Sequence, residues 1–283
     1  MVLNGNVVKE HWVELLKTEV HNLGFSPILT ILTVGNDPAS QSYVRNKLKT
    51  ARDIGIDVRH IAMGSDSTET DILLMINKIV TTNTHGLIVQ LPICSEHPVD
   101  ERNILNYIPP YLDVDCLGDL MYSAFLCGDP DAVPPCTSQG VMDLIDYYNI
   151  PLEGTDVVMI GRSRLVGKGL FELLLRKNAT VTMAHSKSDL STALENKTVV
   201  ISAVGKKDLI NRKNIDFCNN TYFINVGLSR VDGKLCGDID TAVFDGYEDW
   251  IQSYTPYAAG GVGPLTVINL MKNTIKLAKV GRS

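Results

Sequence analysis

The feature that most constrains this chain is an alternation of short apolar segments with segments of helical periodicity, in two separate series. Strands that alternate with helices in this way predict crossover connections and parallel sheets. The chain has 283 residues, and at roughly 100–200 residues per domain this length fits about two domains. We therefore predict a two-domain α/β protein whose strands lie near 27–34, 58–63, 86–91, 157–160, 180–184, 199–204 and 223–226.

The two series divide the chain into two predicted domains. The first domain covers residues 1–137, and the second, of a nucleotide-binding type, covers residues 138–260. The stretch 109–135 is rich in Asp, Gly and Pro and is predicted to be irregular. A last helix over 264–280 has a Pro start and apolar residues at helical spacing. We expect residues 261–283 to fold back and complete the first domain.

Composition excludes several classes of protein. Hydrophobic residues make up 45% of the chain and charged residues 20%. This composition supplies enough apolar surface for packed cores and excludes a largely disordered protein. The formal charge of −6 argues against a general nucleic-acid binder, whose affinity rests on a basic surface. No apolar run approaches the roughly 20 residues that span a bilayer. The start of the chain carries Glu10 and Glu14 and lacks a signal-peptide core, so we expect a cytoplasmic protein with no membrane segment.

The cysteines give no sign of a metal site or of a disulfide framework. They are far apart, with no Cys-x-x-Cys pair and no nearby His at zinc spacing. We predict reduced thiols that mostly pack in the interior, and no bound metal. The six residues are Cys94, Cys116, Cys127, Cys136, Cys218 and Cys236.

A candidate nucleotide site lies where the second series begins. A strand at 157–160 leads into a turn that contains Gly161 and Gly167 and then into a helix start. Such a turn places a pyrophosphate over a helix N-terminus. The segment departs from G-x-G-x-x-G, because Ser163 stands where the second glycine would be. Taken alone it fits a plain strand-to-helix turn equally well.

The end of the next strand indicates which dinucleotide would bind. An NAD site usually has an acidic residue there, which holds the ribose 2′-hydroxyl. Here that strand ends in Ala184-His185-Ser186-Lys187, with no acid, and Arg162, Ser186 and Lys187 suit a 2′-phosphate instead. We infer a preference for NADP. Taken singly, Lys187 is typical of a polar loop and His185 of a structural loop histidine.

A second candidate site lies in the first domain. Tyr43 and Lys47 are four residues apart on a predicted helix and therefore share a face. Gln90 follows a strand, at the carboxyl edge of the sheet where ligands collect. A lysine held against an amide and shielded by a tyrosine ring has a lowered pKa and suits general acid–base catalysis. Without further support, a Tyr and a Lys at this spacing are more typical of an exposed helix surface.

Two further segments stand out in the loops. Asp113-Val114-Asp115 lies in the irregular stretch, where acidic residues are normally solvated or cap helices. The segment 260–266 is a glycine-rich loop that opens the last helix, and it is either a flexible linker or backbone that closely approaches a ligand.

Taken together, these residues resemble the bifunctional methylenetetrahydrofolate dehydrogenase/methenyltetrahydrofolate cyclohydrolase family. The matching segments occur in family order and span nearly the whole chain, so that the joint match is specific although each piece alone is not. They include Gly86-Leu-Ile-Val-Gln-Leu-Pro92, Asp113-Val-Asp115, Pro135-Cys-Thr137, Gly161-Arg-Ser163 with Val166-Gly167, Asn178-Ala-Thr-Val-Thr182 with His185-Ser186, Gly237-Asp238, Gly260-Gly-Val-Gly-Pro264 with Thr266, and the run from Val34 to Lys47.

The resemblance implies a fold and an activity. The fold is an N-terminal folate-binding catalytic domain and a Rossmann-like NADP-binding domain, with a folate cleft between them and usually in a homodimer. The activity is oxidation of 5,10-methylenetetrahydrofolate by NADP⁺, followed by hydrolysis to 10-formyltetrahydrofolate. These reactions belong to one-carbon metabolism, which serves purine, histidine and methionine biosynthesis.

The resemblance also implies roles for particular residues. Lys47 is the catalytic lysine, Tyr43 packs on and orients the folate, Gln90 contacts Lys47, and Asp115 holds the pterin through two parallel hydrogen bonds. The implied cofactor residues are Gly161, Arg162, Ser163, Ser186, Gly205, Gly227 and Leu228. The implied substrate residues are Tyr43, Lys47, Gln90, Leu91, Asp115, Gly261, Gly263, Pro264 and Thr266.

The chain departs from the family pattern at several positions, and those that border the implied folate cleft put folate affinity and turnover in question more than fold. Cys116 replaces a usual glycine, Cys94 a usual proline, Ser138 and Gly169 usual prolines, and the segment Tyr257-Ala258-Ala259 is one residue longer. Alternatives therefore stay open. One is a divergent relative with only one of the two activities, and another is a non-catalytic NADP- or folate-binding protein.

Overall fold

The computed structural model describes residues 1–215, 220–244, 251–256 and 260–281, so that Cys218 and the segment 257–259 lie outside the described residues. The helices are α1 (Gly5–Leu23), α2 (Pro38–Ile54), α3 (Glu69–Val80), α4 (Glu101–Asn106), α5 (Asp119–Cys127), α6 (Cys136–Tyr147), α7 (Gly169–Arg176), α8 (Leu190–Leu194) and α9 (Gly263–Val280). The strands are β1 (Ile28–Val34), β2 (Asp57–Met63), β3 (Gly86–Val89), β4 (Asp156–Ile160), β5 (Thr180–Ala184), β6 (Val199–Ser202), β7 (Thr221–Asn225), β8 (Leu228–Val231), β9 (Lys234–Gly237) and β10 (Ile251–Tyr254).

The described residues group into two compact units, each with its own parallel sheet. The first unit consists of His11–Cys136 with the chain from Val267 onward, and the second consists of Met1–Glu10 with Thr137–Thr266. The predicted two-domain α/β class is confirmed, because each unit has a parallel sheet and strands β1 to β3 and β4 to β6 alternate with helices along the chain.

The first unit is built on a three-stranded parallel sheet in the order β2-β1-β3. Strand β1 is the central strand, with Leu29 opposite both Val58 and Gly86. Helix α3 begins at Glu69 because the Thr68 and Asp71 side chains form a reciprocal capping box. One apolar core joins these elements through residues such as Leu32, Ile72, Ile76, Leu87 and Ile104.

The predicted return of the last helix to the first unit is present. From Val267 onward, α9 belongs to that unit. The Lys276 ammonium donates to Ala132 O at 2.7 Å, and Lys279 pairs with Glu19. Residues Ile268, Met271 and Ile275, whose helical spacing predicted a buried face, are at most 1% exposed.

The second unit is built on a five-stranded parallel sheet in the order β10-β7-β6-β4-β5. Its core includes Val158, Val200 and Phe223. The first residues of the chain join this unit, because Val2 bridges to Tyr254 and Leu3 N donates to Tyr254 O at 2.8 Å.

The structure corrects the prediction of a fully irregular stretch at 109–135, because helix α5 spans Asp119–Cys127. Its inward residues are Met121, Tyr122 and Phe125, and it ends at Gly128, which adopts the left-handed conformation with φ +78°. The helix was missed because it is short and because Asp, Gly and Pro flank it on both sides. The second unit also contains strand β10 and the antiparallel hairpin β8–β9, which were not predicted.

Candidate active site

Helix α2 carries Tyr43 and Lys47 one turn apart. The helix begins at Pro38, and the Asp37 carboxylate caps it by accepting a hydrogen bond from Ser40 N at 2.6 Å. Tyr43 is 49% exposed, whereas Lys47 is only 7% exposed. A lysine buried to this extent needs a polar partner, because an unpaired charge is costly away from water.

Gln90 is that partner. The Lys47 ammonium donates a hydrogen bond to Gln90 Oε1 at 2.8 Å. The orientation of the amide is fixed, because Gln90 Nε2 donates to Leu91 O at 2.8 Å while its backbone N–H donates to Leu32 O. The Gln90 amide therefore presents its oxygen to the ammonium from the carboxyl end of β3.

The electrostatics of Lys47 combine burial with a nearby acid. Burial lowers the pKa of the Lys47 ammonium below its ordinary value of 10.5, and the negative charge of half-buried Asp115 opposes that shift. The structure thus brings Lys47, Gln90 and Asp115 together in the first unit. A lysine with a lowered pKa exchanges protons near neutral pH more readily than an exposed one.

Asp113, two residues before Asp115, is a structural residue of the same loop. It is 1% exposed, and its carboxylate accepts hydrogen bonds from Gly118 N at 2.7 Å and from Leu117 N at 3.3 Å. Burial raises the pKa of the Asp113 carboxyl to about 6. The carboxylate closes the loop that presents Asp115.

Cys136 and Asn273 also belong to this site, although the sequence patterns assign a role to neither residue. The Cys136 thiol is buried and donates to Val114 O at 3.4 Å. Burial, and then the Asp115 carboxylate, raise the pKa of that thiol well above its usual value, which keeps it neutral. The Asn273 amide donates to Val114 O and Pro134 O, at 2.9 Å in each case. Asn273 is one of several polar residues of α9, so the sequence alone carries no distinct signal for its role.

The remaining predicted substrate residues are distributed between the units. Leu91 is half-buried and packs against the core of the first unit. Gly261, Gly263, Pro264 and Thr266 belong to the second unit, where α9 begins and the Thr266 hydroxyl donates to Thr137 Oγ1 at 3.2 Å.

The predicted nucleotide loop follows β4 in the second unit. Gly161 has φ +115°, a conformation that L side chains rarely adopt, and a Cβ atom there would lie 2.6 Å from Ala203 O. A Cβ atom on Gly167 would lie 2.2 Å from Gly161 O. Both positions therefore require glycine, which allows the strand end and the helix start to pack closely. Ser163 caps the following helical turn by accepting a hydrogen bond from Val166 N.

The other predicted cofactor residues lie on the loops that follow neighbouring strands of the same sheet. Strand β5 pairs with β4, and Gly161 N donates to Ala184 O, so that Arg162 and Ser186 follow adjacent strand ends and are both exposed. Gly205 follows β6, and Gly227 and Leu228 follow β7. His185 has a structural role, because its Nδ1 accepts a hydrogen bond from Lys187 N.

Two family models match the chain. The model described as tetrahydrofolate dehydrogenase/cyclohydrolase, catalytic domain, matches residues 3–115, and the NAD(P)-binding domain of the same family matches residues 135–282. The chain belongs to the tetrahydrofolate dehydrogenase/cyclohydrolase family. The resemblance drawn from the motifs is confirmed.

Individual members of the family are similar over their full length. The bifunctional protein FolD of Exiguobacterium sibiricum is 37% identical over 284 residues, covering 99% of each chain. The corresponding protein of Macrococcus caseolyticus is 38% identical, covering 98% of this chain and 97% of its own length.

Solved structures of the family match the fold. The bifunctional enzyme FolD of Campylobacter jejuni matches with a TM-score of 0.90 and 32% identity over 99% of each chain. The FolD of Trypanosoma brucei, solved in complex with NADP cofactor and inhibitor, matches with a TM-score of 0.89 and 29% identity, over 100% of this chain and 98% of its own.

Two absences hold within the described part of the chain. None of its helices is both long and apolar enough to cross a membrane. No group of three or more His, Cys, Asp and Glu side chains is placed there to hold a metal ion. The five cysteines at described positions are free thiols.

Proposed function

We propose that this chain oxidises 5,10-methylenetetrahydrofolate with NADP⁺ to the 5,10-methenyl compound and then hydrolyses that product to 10-formyltetrahydrofolate. The observation that carries the proposal is the buried Lys47 ammonium, hydrogen-bonded to Gln90 at 2.8 Å and facing the charge of Asp115, in a chain that belongs to this family.

The oxidation requires the protein to position the folate and requires no proton transfer. The nitrogen lone pairs on either side of the methylene carbon expel a hydride and stabilise the resulting cation. When bound, NADP⁺ supplies the hydride acceptor. No proton moves, so the residues of the chain contribute by setting distance and orientation. We assign this orienting role to Tyr43, whose ring is half exposed one turn before Lys47, and to Asp115, which accepts hydrogen bonds from the pterin.

The hydrolysis does require proton transfer, and Lys47 is the group that suits it. Water attacks the methenyl carbon and loses one proton, a proton reaches the ring nitrogen as its bond to that carbon breaks, and the remaining hydroxyl proton passes to solvent as the formyl C=O forms. Neutral Lys47 accepts the first proton, and its ammonium form delivers the second. Burial makes the neutral form accessible, and the hydrogen bond to Gln90 Oε1 holds the nitrogen in one place.

The nucleotide loops of the second unit fit NADP. The two required glycines at 161 and 167 allow the backbone to approach a pyrophosphate closely at a helix start. At the end of β5 the sequence has His185-Ser186-Lys187 and no acid, which leaves room for a 2′-phosphate. Arg162, exposed on the adjacent loop, is the group that we assign to that phosphate.

Several further assignments belong to the same proposal. We assign folate binding and catalysis to the domain built on the first unit and NADP binding to the domain built on the second. The bounds predicted from the sequence, 1–137 with 261–283 and 138–260, differ from those of the two units at residues 1–10, 137 and 261–266. The protein acts as a homodimer in the cytoplasm and does not bind nucleic acid, in keeping with its formal charge of −6.

A two-signal assay tests the proposed function. The purified protein is mixed with 5,10-methylenetetrahydrofolate and NADP⁺, and NADPH and the methenyl absorbance are followed separately. The proposal requires NADPH to form, and it requires added methenyltetrahydrofolate to decay faster than in buffer alone. NADPH without hydrolysis would indicate a dehydrogenase only, and NADPH binding with neither reaction would indicate a non-catalytic binding protein.

A further inference from the structure

The second unit contains a fully buried carboxylate for which the mechanism above has no use. Asp238 follows β9 and is 0% exposed. Its Oδ2 accepts hydrogen bonds from Ser202 Oγ at 2.8 Å and from Val204 N at 2.7 Å, and its Oδ1 accepts one from Lys206 N at 2.8 Å. Three donors from one short segment thus converge on a single side chain.

Those donors fix the loop that follows β6. Val204 and Lys206 lie on either side of Gly205, which has φ +74°. Because the carboxylate holds the N–H groups of both flanking residues, it holds Gly205 in the left-handed conformation between them. The short bonds are charge-assisted and therefore stronger than ordinary backbone hydrogen bonds.

The same carboxylate lies directly beneath the loop that follows β7. A Cβ atom on Gly227 would lie 2.1 Å from Asp238 Oδ2, so the carboxylate occupies the space in which a side chain at that position would stand. Asn225 ties the two segments together, because its Oδ1 accepts a hydrogen bond from Asp238 N at 2.7 Å and its Nδ2 donates to Gly227 O.

These loops lie at the edge of the sheet where a dinucleotide is expected. Strands β4, β6 and β7 are parallel, and their carboxyl ends carry Gly161, Gly205 and Gly227. Ligands of open parallel sheets bind at that edge. We propose that Asp238 is a positioning residue for the NADP site, which shapes the loops at 203–206 and 226–228 from beneath without touching the cofactor. This inference rests on the assignment of the NADP site in the proposed function.

The chemistry of the three donors explains why a carboxylate is needed there. Two ionised oxygens accept all three hydrogen bonds, whereas an amide offers one oxygen and one NH₂ group. In the Asp238→Asn variant, the NH₂ group must therefore face the N–H of either Val204 or Lys206. The Ser202 hydroxyl can turn and accept, but a backbone N–H cannot, so the loop must move.

The test compares Asp238→Asn with Asp240→Asn. Asp240 is the matched control because it is two residues away and, among the described residues, its carboxylate accepts a hydrogen bond only from Ala242 N, within its own turn. In Asp238→Asn one backbone N–H loses its acceptor and the loop moves. We therefore expect this variant to raise the KM for NADP⁺ and the Kd for NADPH by about 10- to 100-fold. The KM for methylenetetrahydrofolate and the hydrolysis of added methenyltetrahydrofolate without nucleotide stay within about twofold, because neither uses these loops.

The outcomes separate this inference from the proposed function. Equal losses of nucleotide-free hydrolysis and of NADPH binding would mean that Asp238 only supports the fold, and an unchanged Kd for NADPH would likewise overturn the inference. If Asp238→Asn does not fold, the Ser202→Ala variant tests the inference instead, because it removes one donor to the same carboxylate. The inference then requires Ser202→Ala to weaken NADPH binding while nucleotide-free hydrolysis is kept. NADPH binding is read by nicotinamide fluorescence, so it remains measurable even if the wild-type protein turns over no folate.

Discussion

Replacing Lys47 by methionine should separate the two reactions. A positioned general acid–base group is typically worth about 10²–10⁴-fold in rate. At about 1.4 kcal/mol per factor of ten, this corresponds to about 3–5 kcal/mol of the hydrolysis barrier. Hydride transfer needs no proton, so the dehydrogenase should retain a measurable rate and lose only the contribution that Lys47 makes to the position of the substrate.

The structure also predicts that the Lys47→Met variant folds. Methionine is similar in length and removes the cost of burying an ammonium that is only 7% exposed. Against this gain, Gln90 Oε1 loses its donor at 2.8 Å, which costs about 1–3 kcal/mol if no water replaces it. Because the two effects oppose each other, we expect the melting temperature to stay within about 5 °C of wild type.

The assay follows NADPH formation from methylenetetrahydrofolate and, separately, the decay of added methenyltetrahydrofolate. Lys49→Met is the matched control, because Lys49 lies on the same helix and is exposed. The control should leave both rates within about twofold. The assignment of Lys47 to proton transfer would be refuted if the two activities of Lys47→Met fell by the same factor, or if its hydrolase stayed at the wild-type rate.

Three further predictions follow from the geometry. Arg162→Ala should raise the KM for NADP⁺ about tenfold or more while the KM for NAD⁺ hardly changes, since a charged hydrogen bond to the 2′-phosphate is lost; equal shifts of both KM values would exclude that contact. The rate of hydrolysis at saturating substrate should rise with pH as Lys47 loses its proton. The Asp115→Asn variant should show this rise at lower pH, because the Asp115 charge raises the pKa of Lys47. A rise at the same pH in both proteins would contradict this reading. The pKa of Asp113 is raised to about 6 from 3.8, so its stabilising contribution is fully present below pH 3.8 and is lost as pH rises through about 6. Relative to Asp113→Asn, the unfolding free energy of the wild type should therefore fall by roughly 2–3 kcal/mol between about pH 4 and about pH 8 in urea titrations.

The sequence predicts most of the fold because the signals for it are local. The strands at 28–34, 57–63 and 156–160 are short apolar or alternating segments followed by helix starts, and Asp37, Pro38 and Thr68 mark two of those starts. Local spacing also places Tyr43 and Lys47 on one face of α2. Patterns of this kind need no knowledge of what the chain packs against.

One missed element had a local signal of its own. The hairpin β8–β9 turns at Asp232 and Gly233, which have φ +50° and +76°. Two successive positive φ values are typical of the type I′ turn, and Asp-Gly is among its preferred sequences. The pair stands between Leu228–Val231 and Lys234–Gly237, so the dipeptide predicts the hairpin once both flanking segments are recognised as strands.

The buried polar residues of the two sites could not be predicted in the same way. Asn273 bonds to Val114 and Pro134, and Asp238 bonds to Ser202 and Val204, so each partner is more than 30 residues away. A sequence pattern shows that a residue is polar, but only the fold shows which donors and acceptors it must satisfy. This is why residues that shape a site are harder to recognise from sequence than residues that point into it.

The departure at Cys116 shows how a family loop tolerates an unusual residue. Cys116 has φ +57°, which lies in the left-handed region. The usual glycine adopts this conformation without strain, whereas a cysteine there destabilises the fold by roughly 1–2 kcal/mol. Its side chain is 1% exposed, so burial of the thiol offsets part of this cost. The hydrogen bonds from Gly118 N and Leu117 N to Asp113 close the loop on the far side of Cys116. The backbone therefore keeps the conformation that a glycine would give it, and Asp115 is presented to Lys47 despite the substitution.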